Sequence, residues 1–342
     1  MSPVLASLRG YKADWLARDA VAGAMLAAIA IPEQLATAKL AGLAPETGLY
    51  AFAGGAIGFA LLGASRFISI GADTTITPIF AGALSALALA GGRDYPTIAA
   101  LFALAVGLVL VIAGLARAGW LADLLSVPVT AGFLAGIGIH IAVGQLPAIL
   151  AVPNPGGETP AQLYGILREL PGANPITLGI AALVLIAALA GEKIGPRLPG
   201  ALIGLALAAI GALVFDLPHH GIPMVGALTP HAPHPPALPS FETALHDFAS
   251  LTPLVLMVAL VCMVQTAAVG RSFPTEGADA GRDFIGVGAG NILAGLLGAF
   301  PVDASPPRTA VVAEAGGRSQ GAGLTAVAIT LLLLAFAGRT LA

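Results

Sequence analysis

The sequence predicts an all-α polytopic membrane protein, and three observations support that prediction. The chain has 342 residues, of which 57% are hydrophobic and only 10% are Asp, Glu, Lys or Arg. A soluble domain carries about 25% charged residues, and the mean hydropathy of this chain is +0.92. The 44 glycines and 26 prolines follow no collagen period, so they must interrupt apolar helices.

Charge and motif content exclude several classes of protein. The formal net charge is −3 and the 15 basic residues are scattered, so we expect no nucleic-acid partner. The single cysteine, Cys262, permits neither an internal disulfide nor a thiolate pair for a metal. A Walker A lysine, a G-x-S-x-G elbow and an H-E-x-x-H motif are missing, so we expect neither an enzyme nor a cofactor. Four histidines in one loop lack helical spacing and nearby carboxylates, and we expect a solvated loop there rather than a metal site: His219, His220, His231 and His234.

Eleven apolar stretches, separated by turn or charge signals, are predicted to cross the bilayer, which takes roughly 20 residues per crossing. The predicted spans are 20–38, 48–64, 73–90, 96–116, 127–149, 174–190, 199–216, 251–270, 284–299, 303–315 and 322–338. The third and tenth differ from the rest because each begins with polar residues followed by proline, Asp73 to Pro78 and Asp303 to Pro307. Neither start is suited to a helix that faces lipid.

The spans divide the chain into four regions. Residues 1–19 are expected to be a cytosolic N-terminus, 20–216 a first group of seven spans, 217–250 an extracytoplasmic loop, and 251–342 a group of four spans. With this arrangement most Lys and Arg residues near the span ends lie on the N-terminal side of the membrane, as the positive-inside rule requires of the cytoplasm. We therefore expect a multi-pass protein of the inner (plasma) membrane.

An internal comparison suggests a duplication. Asp73 and Asp303, which head the third and tenth spans, lie 230 residues apart, and Glu33 and Gln265 lie 232 residues apart. A repeated unit of seven spans is odd in number, so its second copy enters from the opposite side and the repeat is inverted. Two copies would need roughly 460 residues, so we expect about three spans of the second copy to be absent from this chain.

Broken helices in inverted repeats point their N-termini at a site near the midplane, where backbone N–H groups and helix dipoles attract anions. The predicted substrate-binding residues are Thr74, Thr75, Ala304, Ser305, Arg308 and Gln265, and the predicted coupling-ion residues are Glu33, Asp73 and Asp303. Arg308 presents five donors in a planar fork that suits an oxyanion.

Alternatives stay open for the acidic residues. Asp73 and Asp303 could do no more than cap their helices. Glu33 could bind and release a proton during transport, or it could stay ionised in a pair with Arg308.

Several motifs, taken in order, resemble those of one family. They are Asp19-Ala20-Val21-Ala22-Gly23, Ile31-Pro32-Glu33, Gly48-Leu49-Tyr50, Pro128-Val129-Thr130-Ala131-Gly132-Phe133, Pro196-Arg197-Leu198-Pro199-Gly200, Gly290-Asn291-Ile292 and Arg308-Thr309-Ala310. The chain resembles the SulP anion transporters, the bacterial relatives of the SLC26 family. The resemblance implies a UraA-like fold of two inverted seven-helix repeats, arranged as core and gate, with substrate between the third and tenth helices. It also implies a homodimer and a cytosolic STAS domain, and we expect no STAS domain within these 342 residues.

Two departures from the family pattern bear on the expected function. Asp73 stands where the family often has proline, and Asp303 where it often has a small or hydroxyl residue. Two extra acids repel an anion unless one is protonated or a cation binds beside them. We therefore expect a secondary active symporter that couples a small inorganic anion, such as sulfate, to H⁺ or Na⁺ by an elevator-type movement in the bilayer. The alternatives are a nucleobase or dicarboxylate transporter of the same architecture, or a truncated membrane protein that does not transport.

Overall fold

The computed structural model describes residues 10–91, 94–120, 127–153, 159–194, 241–275 and 277–340, with a few isolated positions outside these ranges. Most of the predicted seventh span, 199–216, and the four loop histidines lie outside the described residues.

The described residues form eleven α-helices and one two-stranded sheet. The helices are α1 (Ala13–Leu40), α2 (Pro45–Leu62), α3 (Thr77–Gly91), α4 (Tyr95–Leu115), α5 (Val127–Leu150), α6 (Thr159–Glu169), α7 (Pro175–Ile194), α8 (Phe241–Ser272), α9 (Ala280–Leu296), α10 (Pro306–Glu314) and α11 (Gly321–Thr340). The strands are β1 (Ile70–Gly71) and β2 (Asp303–Ala304). The all-helical prediction is confirmed, and the sheet is confined to the starts of the two unusual spans.

Three element boundaries differ from the prediction. The third and tenth spans become helical only at Thr77 and Pro306, because strand β1 and a turn precede α3 and extended chain precedes α10. Helix α8 already begins at Phe241, so residues 241–250, predicted as part of the loop, are helical. Helix α6 was not predicted, because its mixture of polar and apolar residues does not resemble a span.

Few of the described helices could cross a bilayer on length and apolar character alone. They are Ala13–Leu40, Tyr95–Leu115 and Leu251–Ser272, and the bent pair Pro160–Gly172 and Pro175–Gly191 adds a fourth if it counts as one span. Helix α1 continues through Pro32 without ending.

The chain divides into two compact units, residues 1–130 with 227–342 and residues 131–226. In the first unit, α9 packs against α2 and α4 at backbone distance. A Cβ added to Gly58 of α2 would lie 2.4 Å from the Gly290 nitrogen, and one added to Gly107 of α4 would lie 2.7 Å from the Gly288 carbonyl oxygen. Small residues that let helix backbones approach are typical of membrane helix pairs.

Buried carboxylates fix the chain that leads into β1 and the chain that follows α10. Asp283 Oδ1 accepts hydrogen bonds from the backbone nitrogens of Ala64 and Ser65 at 2.8 and 2.9 Å, and its Oδ2 accepts one from the Ser65 hydroxyl. Asp19 accepts hydrogen bonds from the Ser319 hydroxyl at 2.6 Å and from the Arg318 backbone nitrogen at 2.6 Å. The chain before β1 is therefore anchored to α9, and the chain between α10 and α11 is anchored to α1.

The second unit contains α6, a 3₁₀ turn at Leu170–Gly172 and α7. The start of α7 is fixed by Asn174, whose side-chain oxygen accepts a hydrogen bond from the Ile176 backbone nitrogen at 2.9 Å. The helical segments Pro160–Gly172 and Pro175–Gly191 are bent by 118°.

Candidate functional site

The two strands bring the predicted residues of the third and tenth spans together. They pair antiparallel, with Ile70 opposite Ala304 and Gly71 opposite Asp303. The Ser305 backbone nitrogen extends the ladder by donating to the Ser69 carbonyl oxygen at 3.0 Å. Each strand leads within a few residues into a helix, β1 into α3 and β2 into α10, so both helices begin beside this strand pair.

Buried amide side chains hold the strands and their flanks in place. Gln34 bonds Ala72 on both sides, donating to its carbonyl oxygen at 2.9 Å and accepting from its nitrogen at 2.7 Å. Asn291 makes the same pair of hydrogen bonds with Val302, donating to its carbonyl oxygen at 2.8 Å and accepting from its nitrogen at 3.0 Å. Gln34 and Asn291 are not among the predicted site residues, although each places an uncharged amide inside an apolar run.

The predicted residue Gln265 makes a related contact, which corrects the pairing of the two repeats. Its Nε2 donates to the Ala304 carbonyl oxygen at 2.6 Å. Gln34 precedes Ala72 by 38 residues and Gln265 precedes Ala304 by 39. Contact geometry therefore matches Gln265 with Gln34, whereas the sequence comparison matched it with Glu33.

Arg308 lies against Glu33 at the centre of the site. Its Nη1 donates to Glu33 Oε1 at 2.6 Å and to the Ala72 carbonyl oxygen at 3.0 Å. The Arg308 side chain is 0% exposed and that of Glu33 is 30% exposed. A buried guanidinium is stable only with such a partner, because its transfer from water into protein costs several kcal/mol.

Asp73 and Asp303 are both buried, and each accepts a local backbone hydrogen bond. Asp73 Oδ1 accepts from the Thr75 nitrogen at 2.8 Å, which forms the turn that precedes α3. Asp303 Oδ1 accepts from the Ala304 nitrogen at 2.7 Å. The carboxylate of Asp73 is near enough to the carboxyl groups of Glu33 and Asp303 to repel them when all are ionised. The site thus combines three carboxyl groups with one guanidinium.

The backbone donors expected at the start of α10 are fewer than the sequence analysis assumed. The nitrogens of Ala304 and Ser305 already bond Asp303 and Ser69, and the Ala304 oxygen accepts from Gln265. Pro306 and Pro307 have no N–H group. The predicted binding role of Ala304 stays a prediction, and among the described residues the side-chain donors without a partner at this helix start are Nε and Nη2 of Arg308.

Polar atoms without partners concentrate around the strand pair. Among the described residues, nine buried side-chain nitrogen or oxygen atoms have no hydrogen-bond partner, and six of them lie here. They are Ser69 Oγ, Thr75 Oγ1, Gln265 Oε1, Asp303 Oδ2, Arg308 Nε and Arg308 Nη2. Thr74 is half-buried beside Asp73, and the Ser305 side chain does not cap α10. Unpaired buried polar atoms are costly, so their concentration around the strand pair makes it the candidate ligand site.

A metal centre has no support in the described part of the chain. No group of three or more His, Cys, Asp or Glu side chains there could hold a metal ion.

Comparisons with known proteins agree with this architecture. The sulfate permease family matches residues 16–342. A probable sulfate transporter of Mycobacterium tuberculosis is 33% identical over the whole of this chain, which covers 61% of that protein. Human solute carrier family 26 member 6 is 28% identical over 97% of this chain, which covers 47% of that protein. The chain thus spans about half to three-fifths of the length of these relatives.

Solved structures show the same fold at lower identity. The transmembrane domain of the cyanobacterial bicarbonate transporter BicA superposes with a TM-score of 0.75 at 21% identity, covering 97% of this chain and 85% of that one. The murine anion transporter Slc26a9 in its inward-facing state superposes with a TM-score of 0.78 at 21% identity, covering 98% of this chain and 59% of that one. This multi-pass membrane protein belongs to the sulfate permease family.

Proposed function

We propose that the protein is a secondary active transporter of small inorganic anions such as sulfate, coupled to H⁺ or Na⁺. The observation that carries the proposal is the buried guanidinium of Arg308 beside the strand pair. Its Nη1 donates to Glu33 and Ala72, whereas Nε and Nη2 have no partner among the described residues. These two nitrogens form the side edge of the guanidinium, which pairs with oxyanions through two parallel hydrogen bonds.

Neighbouring groups supply the rest of an oxyanion site. The Thr75 hydroxyl is buried without a partner at the turn before α3. Gly71 lets the strand approach the guanidinium, because a Cβ there would lie 3.3 Å from Arg308 Nη2 and 2.9 Å from Gln34 Oε1. The proposed substrate therefore binds between Arg308 and Thr75, with Thr74 and Ser305 at the edges of the site.

The charge balance favours coupling to a cation. When all four groups are ionised, the site carries three negative charges, from Glu33, Asp73 and Asp303, and one positive charge, from Arg308. An anion therefore binds only if a proton or a cation binds with it. Glu33 is the partly exposed member, which gives it access to protons from water. Asp303 Oδ2 and Gln265 Oε1 are acceptors without partners, and both suit a proton or Na⁺.

Transport in this proposal proceeds by an elevator-type movement that carries the strand pair and its helices relative to a gate. The distribution of Lys and Arg supports a cytoplasmic N-terminus in the inner (plasma) membrane. We also propose that the working unit is a homodimer, as the family resemblance implies.

The test is radiolabelled sulfate uptake into proteoliposomes, with and without an inward proton or sodium gradient. We expect gradient-driven uptake by the wild-type protein, its loss in Glu33→Gln, and its retention in the matched control Glu314→Gln, an exposed residue at the end of α10. Unchanged gradient dependence in Glu33→Gln would overturn the role of Glu33 in coupling. Folded wild-type protein that takes up neither sulfate, bicarbonate nor chloride would overturn the transport proposal.

The unpaired acceptors also support a second candidate, a nucleobase transporter. Gln265 Oε1 and Asp303 Oδ2 could accept hydrogen bonds from the N–H groups of a pyrimidine or purine. Competition separates the two functions, because uracil or xanthine displaces bound sulfate only if the nucleobase uses this site.

A further inference from the structure

Helix α6 is too short to cross the membrane. It has 11 residues and therefore extends about 16 Å, against a hydrocarbon core of about 30 Å. The 118° bend between its segment and that of α7 inclines it strongly to α7. If α7 crosses near the bilayer normal, α6 lies closer to the plane of the bilayer than to that normal.

The surface of α6 is divided into three faces. Gln162 and Ile166 are buried within the protein. Leu163, Tyr164 and Leu167 form an exposed apolar face, with exposed fractions of 39%, 58% and 55%. At 100° per residue these three lie within one sector of the helix, and Leu170 of the following turn continues that sector.

A charged side chain borders the apolar face. Arg168 is exposed and lies about 40° around the helix from Tyr164. Glu169 is also exposed, at the end of the helix. The Arg168 guanidinium lies over the Tyr164 ring, 4.8 Å from its centroid, on the boundary between the two faces. Tyrosine with its ring in apolar surroundings and its hydroxyl in water, and arginine that extends its charge toward water, are typical of the membrane interface.

Helix α7, which follows, also exposes large apolar side chains, and these indicate the occupant. They are Leu185, Ile186 and Leu189, with exposed fractions of 60%, 64% and 51%. In a membrane protein, exposed apolar side chains of this kind face acyl chains. A helix with one buried face, one apolar face and one charged face can contact protein, lipid and water at the same time.

We propose that α6 is an interfacial helix whose Leu163, Tyr164 and Leu167 bind the boundary between acyl chains and headgroups, with Arg168 and Glu169 in the aqueous headgroup layer. Helices of this type bury their apolar face about 5–10 Å into that boundary. Lipid contact on α6 thereby fixes where the second unit lies across the membrane.

Spin-label accessibility in liposomes tests the proposal with the full chain. Nitroxides are attached at Leu167→Cys, at Leu163→Cys as a second lipid-facing position, and at Glu169→Cys as the matched control. The wild-type chain gives the background, because its one cysteine, Cys262, is buried. Oxygen concentrates in the acyl chains, and a water-soluble nickel chelate stays outside them.

We expect the ratio of oxygen to nickel accessibility at positions 163 and 167 to exceed that at position 169 by at least about threefold, consistent with apolar burial at the interface. Equal ratios at all three positions would overturn the proposal, because the apolar face would then be in water. Low accessibility to both reagents at 163 and 167 would also overturn it, because another protein surface would then cover α6.

Discussion

Breaking the Arg308–Glu33 pair should destabilise the protein by a predictable amount. Loss of one partner of a fully buried ion pair costs about 3–5 kcal/mol, and exposed pairs contribute about 0.2–1 kcal/mol. Arg308 is 0% exposed and the Glu33 side chain 30% exposed, with 2.6 Å between Nη1 and Oε1. We therefore expect a coupling free energy of about 2–3 kcal/mol, between the two limits.

A double-mutant cycle measures this coupling. The free energy of unfolding is determined by SDS titration in mixed micelles, followed by circular dichroism, for Glu33→Ala, Arg308→Leu and the double variant. Asp94→Ala combined with Arg308→Leu is the control, because Asp94 caps α4 through Thr97 and should behave additively to within about 0.5 kcal/mol. Glu33→Gln should lose less stability than Glu33→Ala, because its amide oxygen still accepts from Nη1. A Glu33–Arg308 coupling below about 0.5 kcal/mol would refute the reasoning.

Three further predictions concern packing and the buried polar contacts. Gly58→Leu should abolish recovery of folded protein, because even a Cβ at this position would lie 2.4 Å from an α9 backbone nitrogen. The control Gly82→Ala, whose added Cβ would have no described atom within 4 Å, should be recovered normally. Recovery is measured as the monodisperse fraction in size-exclusion chromatography. Gln34→Leu leaves the Ala72 nitrogen without its partner, whereas the Ala72 carbonyl oxygen keeps its hydrogen bond from Arg308. The substitution should cost about 1–3 kcal/mol in the same SDS titration, and an unchanged free energy of unfolding would contradict the assigned contacts. Asp283→Ala removes the acceptor of three hydrogen bonds and should expose the chain before β1 to proteolysis, and a cleavage rate like that of the wild type would show that this anchor is dispensable.

The charged residues of the site could be predicted from the sequence because charge is rare in apolar runs. Glu33, Asp73, Asp303 and Arg308 each interrupt such a run, and their spacing suggested a repeat that brings them together. The structure does bring them together, around a strand pair whose register no periodicity could reveal because each strand has two residues.

The uncharged side chains that hold the strands of the site in place could not be predicted in the same way. Gln34 follows Glu33 directly, and only the folded backbone shows that it is Gln34 that mirrors Gln265. The shortage of free backbone donors at α10, by contrast, was open to prediction, because Pro306 and Pro307 stand at its first positions.

The predicted helix boundaries differ from the observed ones where a helical segment is too polar to resemble a membrane span. Helix α6 was missed because its three different faces mix polar and apolar residues at every turn. The extra turns of α8 were missed because residues 241–250 are too polar to resemble a span, although the helix continues through them.

Equilibrium binding of radiolabelled sulfate tests the central claim most directly, namely that the free edge of Arg308 binds the substrate. The purified wild-type protein is compared with Arg308→Gln and with the double variant Glu33→Gln and Arg308→Gln, which removes both members of the ion pair. Size-exclusion chromatography first shows that each protein is folded. A hydrogen bond to a charged group contributes about 1.5–3 kcal/mol, so each variant should bind sulfate at least about tenfold more weakly. Folded Arg308→Gln protein that binds sulfate with the wild-type affinity would contradict the account.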